Sequence, residues 1–208
     1  MQIPRALLPR RFEWVLYRAE RLAEPDPGRV QFEFVSPRRR VTNTQRLFLR
    51  RHISALSLWR LLQWHRKGAG WIFLAREQEP YAHYSFVTPP RRYRRIFPVI
   101  SEPGALLIGP SFTEPAMRGR GLYRQTLAMI TARLGEEGYG PFYVFASPTN
   151  VRSLRGIERA GFQRCGVWTG TRAFMGAWIQ SARKPDPSAA PAPGARATRR
   201  AIERRPEQ

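Results

Sequence analysis

Tyr123, Leu127, Ile130 and Leu134 recur at intervals of four, three and four residues, the spacing that keeps apolar side chains on one side of a helix with 3.6 residues per turn. The pattern predicts an amphipathic helix that begins at Gly121 and stops in the glycine-rich stretch 135–140. Phe142–Ala146 follows as an apolar, aromatic strand. Val151, Leu154 and Ile157 then line a short helix closed by Gly161, and Phe162–Trp168 resumes as strand. Upstream, Arg11–Arg18, Val30–Val35 and Ala105–Phe112 read as strands, rich in β-branched, aromatic or aliphatic residues. Trp71–Glu77 and Tyr81–Val87 flank Gln78-Glu79-Pro80 and predict a hairpin. Ser54 or Ser57 caps a helix running to about Lys67, with Leu58, Leu61, Leu62 and His65 on one face. Glu24–Gly28 is a turn or loop, Pro37 begins a basic stretch that runs to Arg51 without an acid, and Pro89–Arg95 reads as a loop. Strands and helices interleave without an internal repeat, which predicts an α/β domain with its chemistry at a strand–helix turn.

Composition sharpens this picture at both ends. Hydrophobic residues make up 42% of the 208-residue chain, enough for a packed core in residues 1–182. Residues 183–208 hold five prolines, seven basic residues and no aromatic, and read as a disordered basic tail. The longest apolar run, Trp71–Ala75, is far short of the roughly 18 residues of a membrane span. Prolines and arginines interrupt the N-terminus where a signal peptide needs an apolar stretch. A soluble, cytoplasmic protein is expected. A single cysteine, Cys165, excludes an internal disulfide, and three histidines without ligand spacing predict no metal. The net charge is +21, of which +17 lies on residues 1–182. Such a surplus attracts nucleic acid, anionic membrane or phosphorylated molecules. Aspartate occurs only at positions 26 and 186, which argues against a Ser-His-Asp triad.

The turn Thr113-Glu114-Pro115-Ala116-Met117-Arg118-Gly119-Arg120-Gly121-Leu122-Tyr123 precedes the amphipathic helix. Its glycines let backbone approach an anion, the helix N-terminus points amides and partial positive charge at it, and Arg118 and Arg120 can add charge-assisted hydrogen bonds. That is a seat for a pyrophosphate. The spacing fits neither a P-loop nor a dinucleotide-binding glycine fingerprint. About thirty residues on stands Asn150-x-x-Ser153, with Gly161-Phe162 closing the block.

These two blocks together resemble the GNAT superfamily of acyl-CoA N-acyltransferases. Arg118-x-x-Gly121-x-Tyr123, led by Thr113-x-Pro115, is similar to its first signature, and Asn150, Ser153 and Gly161-Phe162 to its second. The match covers roughly residues 104–168. It implies an α/β (α+β) fold with a mixed, mostly antiparallel, splayed central sheet flanked by helices. It further implies transfer of an acetyl group from acetyl-CoA to a primary amine by direct attack. The pantetheine arm would follow Phe112, Thr113 and Glu114. The pyrophosphate would sit on Gly119, Arg120, Gly121, Leu122 and Tyr123 beside Arg118, and Asn150 and Ser153 would border the arm and the acceptor. The sequence departs from the family in three places: Tyr123 replaces the last glycine or alanine, the strand before the turn lacks a carboxylate, and Ile157 replaces the usual tyrosine. Glu114, at the strand end, and His83, in the hairpin, are therefore the catalytic candidates. Tyr143 is a further candidate acid, and Cys165 reads as a small core residue. A basic surface favours an acidic or phosphorylated acceptor. Two other readings stay open: a basic nucleic-acid-binding protein, motivated by the arginine clusters, and a CoA-binding protein without turnover.

Overall fold

The computed structural model describes residues 10–22, 28, 30–77, 80–93, 97–172 and 178–184. In chain order the elements are β1 (Arg10–Ala19), β2 (Gln31–Val35), α1 (Asn43–His52), α2 (Ala55–Arg66), β3 (Trp71–Arg76), β4 (His83–Thr88) and β5 (Leu106–Thr113). They continue with α3 (Leu122–Glu136), β6 (Phe142–Ala146), α4 (Val151–Arg159), β7 (Gln163–Arg172) and β8 (Trp178–Lys184). The strands form one eight-stranded sheet in the order β2-β3-β4-β5-β6-β1-β7-β8. All neighbours are antiparallel except β5 and β6. The mixed, mostly antiparallel sheet expected from the sequence is thus present.

Alternation along the strands divides the core between two faces. On one face Val15 and Tyr17 of β1, Trp71 and Phe73 of β3, Leu106 and Ile108 of β5, and Phe142 and Val144 of β6 pack beneath Leu127, Ile130 and Leu134 of α3 and Ile157 of α4. On the other, Ile72, Leu74, Tyr84 and Phe86 lie under Phe48 and Leu49 of α1 and Leu58 and Leu61 of α2. Further along that second face Leu16, Leu107, Tyr143 and Trp168 are covered by Phe97 and Ile100 from the segment before β5. The N-terminal strand therefore sits inside the sheet, between β6 and β7.

Several expectations shift in detail. The basic stretch from Pro37 to Arg51, to which the sequence pattern gave no element, holds all but the last residue of α1. Thr42 caps it through a reciprocal pair with Gln45, the hydroxyl accepting from the Gln45 amide and the Gln45 side chain accepting from the Thr42 amide. The apolar residues of α1 are the consecutive Leu47, Phe48 and Leu49, which mark no helical stripe in the sequence, while its cap is clear. Ser54, not Ser57, caps α2. Arg183 and Lys184, assigned to the tail, instead end β8, where they pair with Trp168 and Val167. Residues 1–9 and 23–27, Arg94 and Arg95 of the second basic cluster, and tail residues 185–208 lie outside the described residues.

Candidate active site

The site begins with a local defect that the sequence dictates. Leu106, Leu107 and Ile108 pair in parallel with Phe142, Tyr143 and Val144. Next comes Gly109-Pro110. Gly109 takes a φ of 137°, which a side chain disfavours, and proline has no N–H to give a neighbouring strand. On the other side of β5 the register moves by one residue, since Val87 faces Ile108 while Ser85 faces Ser111. This bulge has two effects. It ends the described pairing with β6 and splays the two strands. It also keeps Ser111 and Thr113 on the α3 face, where a regular strand would have turned them to the α1–α2 face.

Beyond the bulge the backbone polarity of β5 is fixed by one bond. The Glu114 amide donates to the Ala82 carbonyl at 2.8 Å. In an antiparallel ladder the peptide groups alternate sides, so Phe112 faces β4, and those of Ser111 and Thr113 face the side from which β6 has departed. The Thr113 carbonyl there accepts from Arg118 Nε at 3.1 Å. An edge of main-chain donors and acceptors thus borders the splay.

The turn at the end of this edge leads into α3. Pro115–Met117 forms one 3₁₀ turn. Gly119 and Gly121 have φ of 84° and 81°, Gly121 being the N-cap of α3. A Cβ built on Gly119 meets nothing within 4 Å, so a ligand has room against its backbone. The first amides of a helix lack intrahelical acceptors, and no acid occupies the first turn of α3. Both features favour an anion. The two arginines are committed to protein partners: Arg118 to Thr113 and the Phe112 ring, with its guanidinium carbon 5.7 Å from the ring centre, and Arg120 to Glu77 at 2.8 Å. Both are exposed. Leu122 is buried with Val30, Ala75 and Ala82, so only its backbone serves the turn. Tyr123 turns inward, as its place in the turn requires. Its ring lies 5.8 Å from that of His83, and a Cβ on Gly156 of α4 would come within 3.1 Å of it. Burial raises the Tyr123 hydroxyl pKa well above the ordinary value.

Beneath this turn runs a chain of polar side chains. His83 Nδ1 is 2.7 Å from Thr113 Oγ1, His83 Nε2 is 2.9 Å from Ser85 Oγ, and Ser85 Oγ is 2.7 Å from Ser111 Oγ. His83 is fully buried, and burial pushes its pKa down to about 3, so the ring is neutral at pH 7. His83-x-Ser85 and Ser111-x-Thr113 repeat at two residues, the period of one strand face. That spacing was the signal for Ser85 and Ser111, which the motif reading passed over.

Glu114 stands on the opposite side of the strand end. Its Oε1 is 2.8 Å from Nε2 of His52, the last residue of α1, although the ring N–H is not aligned for a hydrogen bond. The His52 ring stacks on Phe112 with centres 4.1 Å apart, and Phe112 stacks in turn on Tyr84 at 6.0 Å. Helix α1, not Arg118, thus supplies the partner of this carboxylate. His52 had no motif to mark it.

The second block is structural as well as adjacent. Asn150 caps α4, its Oδ1 accepting from the Ser153 amide at 3.2 Å. Ile157 is completely buried. Tyr143 lies on the opposite face and donates to Glu102 at 2.6 Å; burial and that carboxylate raise its pKa. Cys165 is partly buried, and its thiol donates to the Gln163 carbonyl at 3.8 Å. Among the described residues no group of three His, Cys, Asp or Glu could hold a metal ion, and no helix is long and apolar enough to cross a membrane.

No family model matches the sequence, and no curated protein matches it. Solved structures do. A Novosphingobium aromaticivorans protein assigned to the GNAT family superposes with a TM-score of 0.56 at 18% identity, over 82% of this chain and 68% of that one. A GNAT-family acetyltransferase of Colwellia psychrerythraea gives 0.53 at 14% identity, over 76% of this chain and 54% of its own length. AAC(6')-Iy, solved with the bisubstrate analogue CoA-S-monomethyl-acetylneamine, gives 0.51 at 15% identity, over 64% of this chain and 90% of that one. The fold is GNAT-like.

Proposed function

We propose that this chain is an N-acetyltransferase that moves an acetyl group from acetyl-CoA to a primary amine by direct attack in a ternary complex. The observation that carries the reading is the placement of three features together: the Gly109-Pro110 splay, the outward backbone edge at Ser111 and Thr113, and the glycine-bounded N-terminus of α3. The open space at Gly119 fits a bound diphosphate. The amides of Gly119 to Tyr123 would hold it, with Arg118 and Arg120 swinging from their present partners. Phe112, Thr113 and Glu114 would flank the pantetheine arm, and Asn150 and Ser153 would border its far side.

Acetyl-CoA supplies an activated thioester; the chain orients it and manages charge and protons. A main-chain N–H on the β5 edge is suited to stabilise negative charge growing on the thioester oxygen. Glu114 is the candidate to take the proton of the amine, with His52 fixing its carboxylate. His83 is too weak a base to hold that proton at pH 7, so its role is to orient Thr113 and, through Ser85, Ser111. Ile157 cannot protonate a leaving thiolate. Tyr123, whose ring lies beside His83 and Gly156 at the head of α3, is the candidate donor. We place the reaction in the cytoplasm, and the charge of the surface favours an acidic or phosphorylated acceptor.

A thermal unfolding scan with acetyl-CoA, with ADP and with a short DNA duplex tests this. At about 100 times its dissociation constant a ligand stabilises by roughly 2.7 kcal/mol. Stabilisation by acetyl-CoA beyond ADP, abolished by Gly119→Glu, supports the donor site. Acetyl-dependent thiol release with a panel of amines then separates an enzyme from a CoA-binding protein without turnover. A shift with DNA alone would replace the proposal with nucleic-acid binding, which the charge of +21 favours.

A further inference from the structure

From Arg38 to Lys67 the chain carries nine basic residues and no Asp or Glu. The structure turns this stretch into a surface. Phe48 and Leu49 of α1 and Leu58 and Leu61 of α2 enter the same apolar cluster, so the outer stripes of both helices leave the same side of the molecule. Those stripes are not simply polar. Leu47, Leu56 and Trp59 are 60%, 59% and 58% exposed, interleaved with exposed Arg46, Arg50, Arg51, Arg60, Arg66 and Lys67. A shallow groove of about 340 Å³ on the outside of α2 is lined by Trp59, Arg60, Gln63, Trp64 and Lys67.

We propose that the outer face of α1 and α2 docks on an anionic lipid bilayer, with Leu47, Leu56 and Trp59 entering the headgroup–acyl boundary and the arginines resting on lipid phosphates. Cations beside exposed Trp and Leu on a helix that lies flat are what such an interface selects. The cytoplasmic leaflet supplies the complementary negative charge. A nucleic-acid strand would use the cations and the indole but would gain nothing from two exposed leucines. The inference does not depend on the acetyl-transfer reading.

Flotation of the full chain with vesicles of phosphatidylcholine, with and without phosphatidylglycerol, tests it. The expected result is flotation with the anionic vesicles alone. Leu56→Asn with Trp59→Ser should lower partition at least about tenfold, and Arg50→Ala or Arg60→Ala about fivefold each. Arg159→Glu, on α4 across the sheet, should leave it unchanged; circular dichroism of each variant verifies the fold. Four results overturn the proposal. These are no flotation, equal flotation on neutral vesicles, loss caused by Arg159→Glu but not by the Leu56 and Trp59 pair, and a self-association or DNA binding that this pair abolishes while vesicles go unbound.

Discussion

His83→Gln replaces a fully buried imidazole that bridges Thr113 and Ser85. In the folded chain that ring titrates near 3, against 6.5 for an ordinary histidine. Above pH 6.5 it is neutral in both folded and unfolded chains, and its packing and hydrogen bonds contribute fully. As the pH falls below 6.5 the unfolded chain takes up a proton that the folded chain refuses, so this contribution is lost on the way down to about pH 3. At pH 4.5 the unfolded chain has gained about two pK units of proton binding, worth about 2.7 kcal/mol at 1.36 kcal/mol per unit. Because pH 4.5 lies above the folded value, the result depends almost wholly on the unfolded one. Urea unfolding of wild type and His83→Gln, followed by tryptophan fluorescence at pH 7.5 and 4.5, isolates the effect, since other groups cancel in the difference. The variant should be less stable at pH 7.5 by roughly 1–3 kcal/mol for the lost hydrogen bonds. That deficit should shrink, or reverse, by roughly 2.5–3 kcal/mol at pH 4.5. A deficit of the same size at both values would show that the ring protonates freely in the folded chain, and the enclosed network between β4 and β5 would have to be abandoned.

Other perturbations separate architecture from chemistry. Glu114→Gln should cut turnover by about a hundredfold or more while the thermal shift with acetyl-CoA persists; unaltered turnover would remove Glu114 from the reaction. Tyr123→Phe keeps the packing against Gly156 and should lower turnover without loss of donor binding, measured in the same pair of assays. Leu127→Ala opens a cavity under α3, where Leu127 is fully buried, and should cost about 2–5 kcal/mol in urea unfolding. Thr42→Ala removes the α1 cap and should cost about 1 kcal/mol.

The local signals of this chain were strong where one element reports on itself. The spacing of Tyr123, Leu127, Ile130 and Leu134 sufficed for α3, because helix periodicity needs no distant partner. Asn150 and Gly161 bounded α4 by the conformations their positions demand, and the apolar run Phe142–Ala146 coincides with β6. The Gly-Arg-Gly turn could be read as an anion seat because helix amides and glycine φ are local properties. The Gly109-Pro110 pair was equally present in the sequence, but its consequence was not, since a bulge matters only through the strands it separates. Only tertiary structure placed β1 between β6 and β7 and brought Ser85 within reach of Ser111, since pairings between residues far apart in sequence leave no periodic trace. The same holds for side chains whose partners come from elsewhere. His52 meets Glu114 across 62 residues, and Arg120 meets Glu77 across 43. A chain with 34 arginines offers each carboxylate many candidate partners. Packing of α1 on the sheet, not residue type, selected a histidine for Glu114.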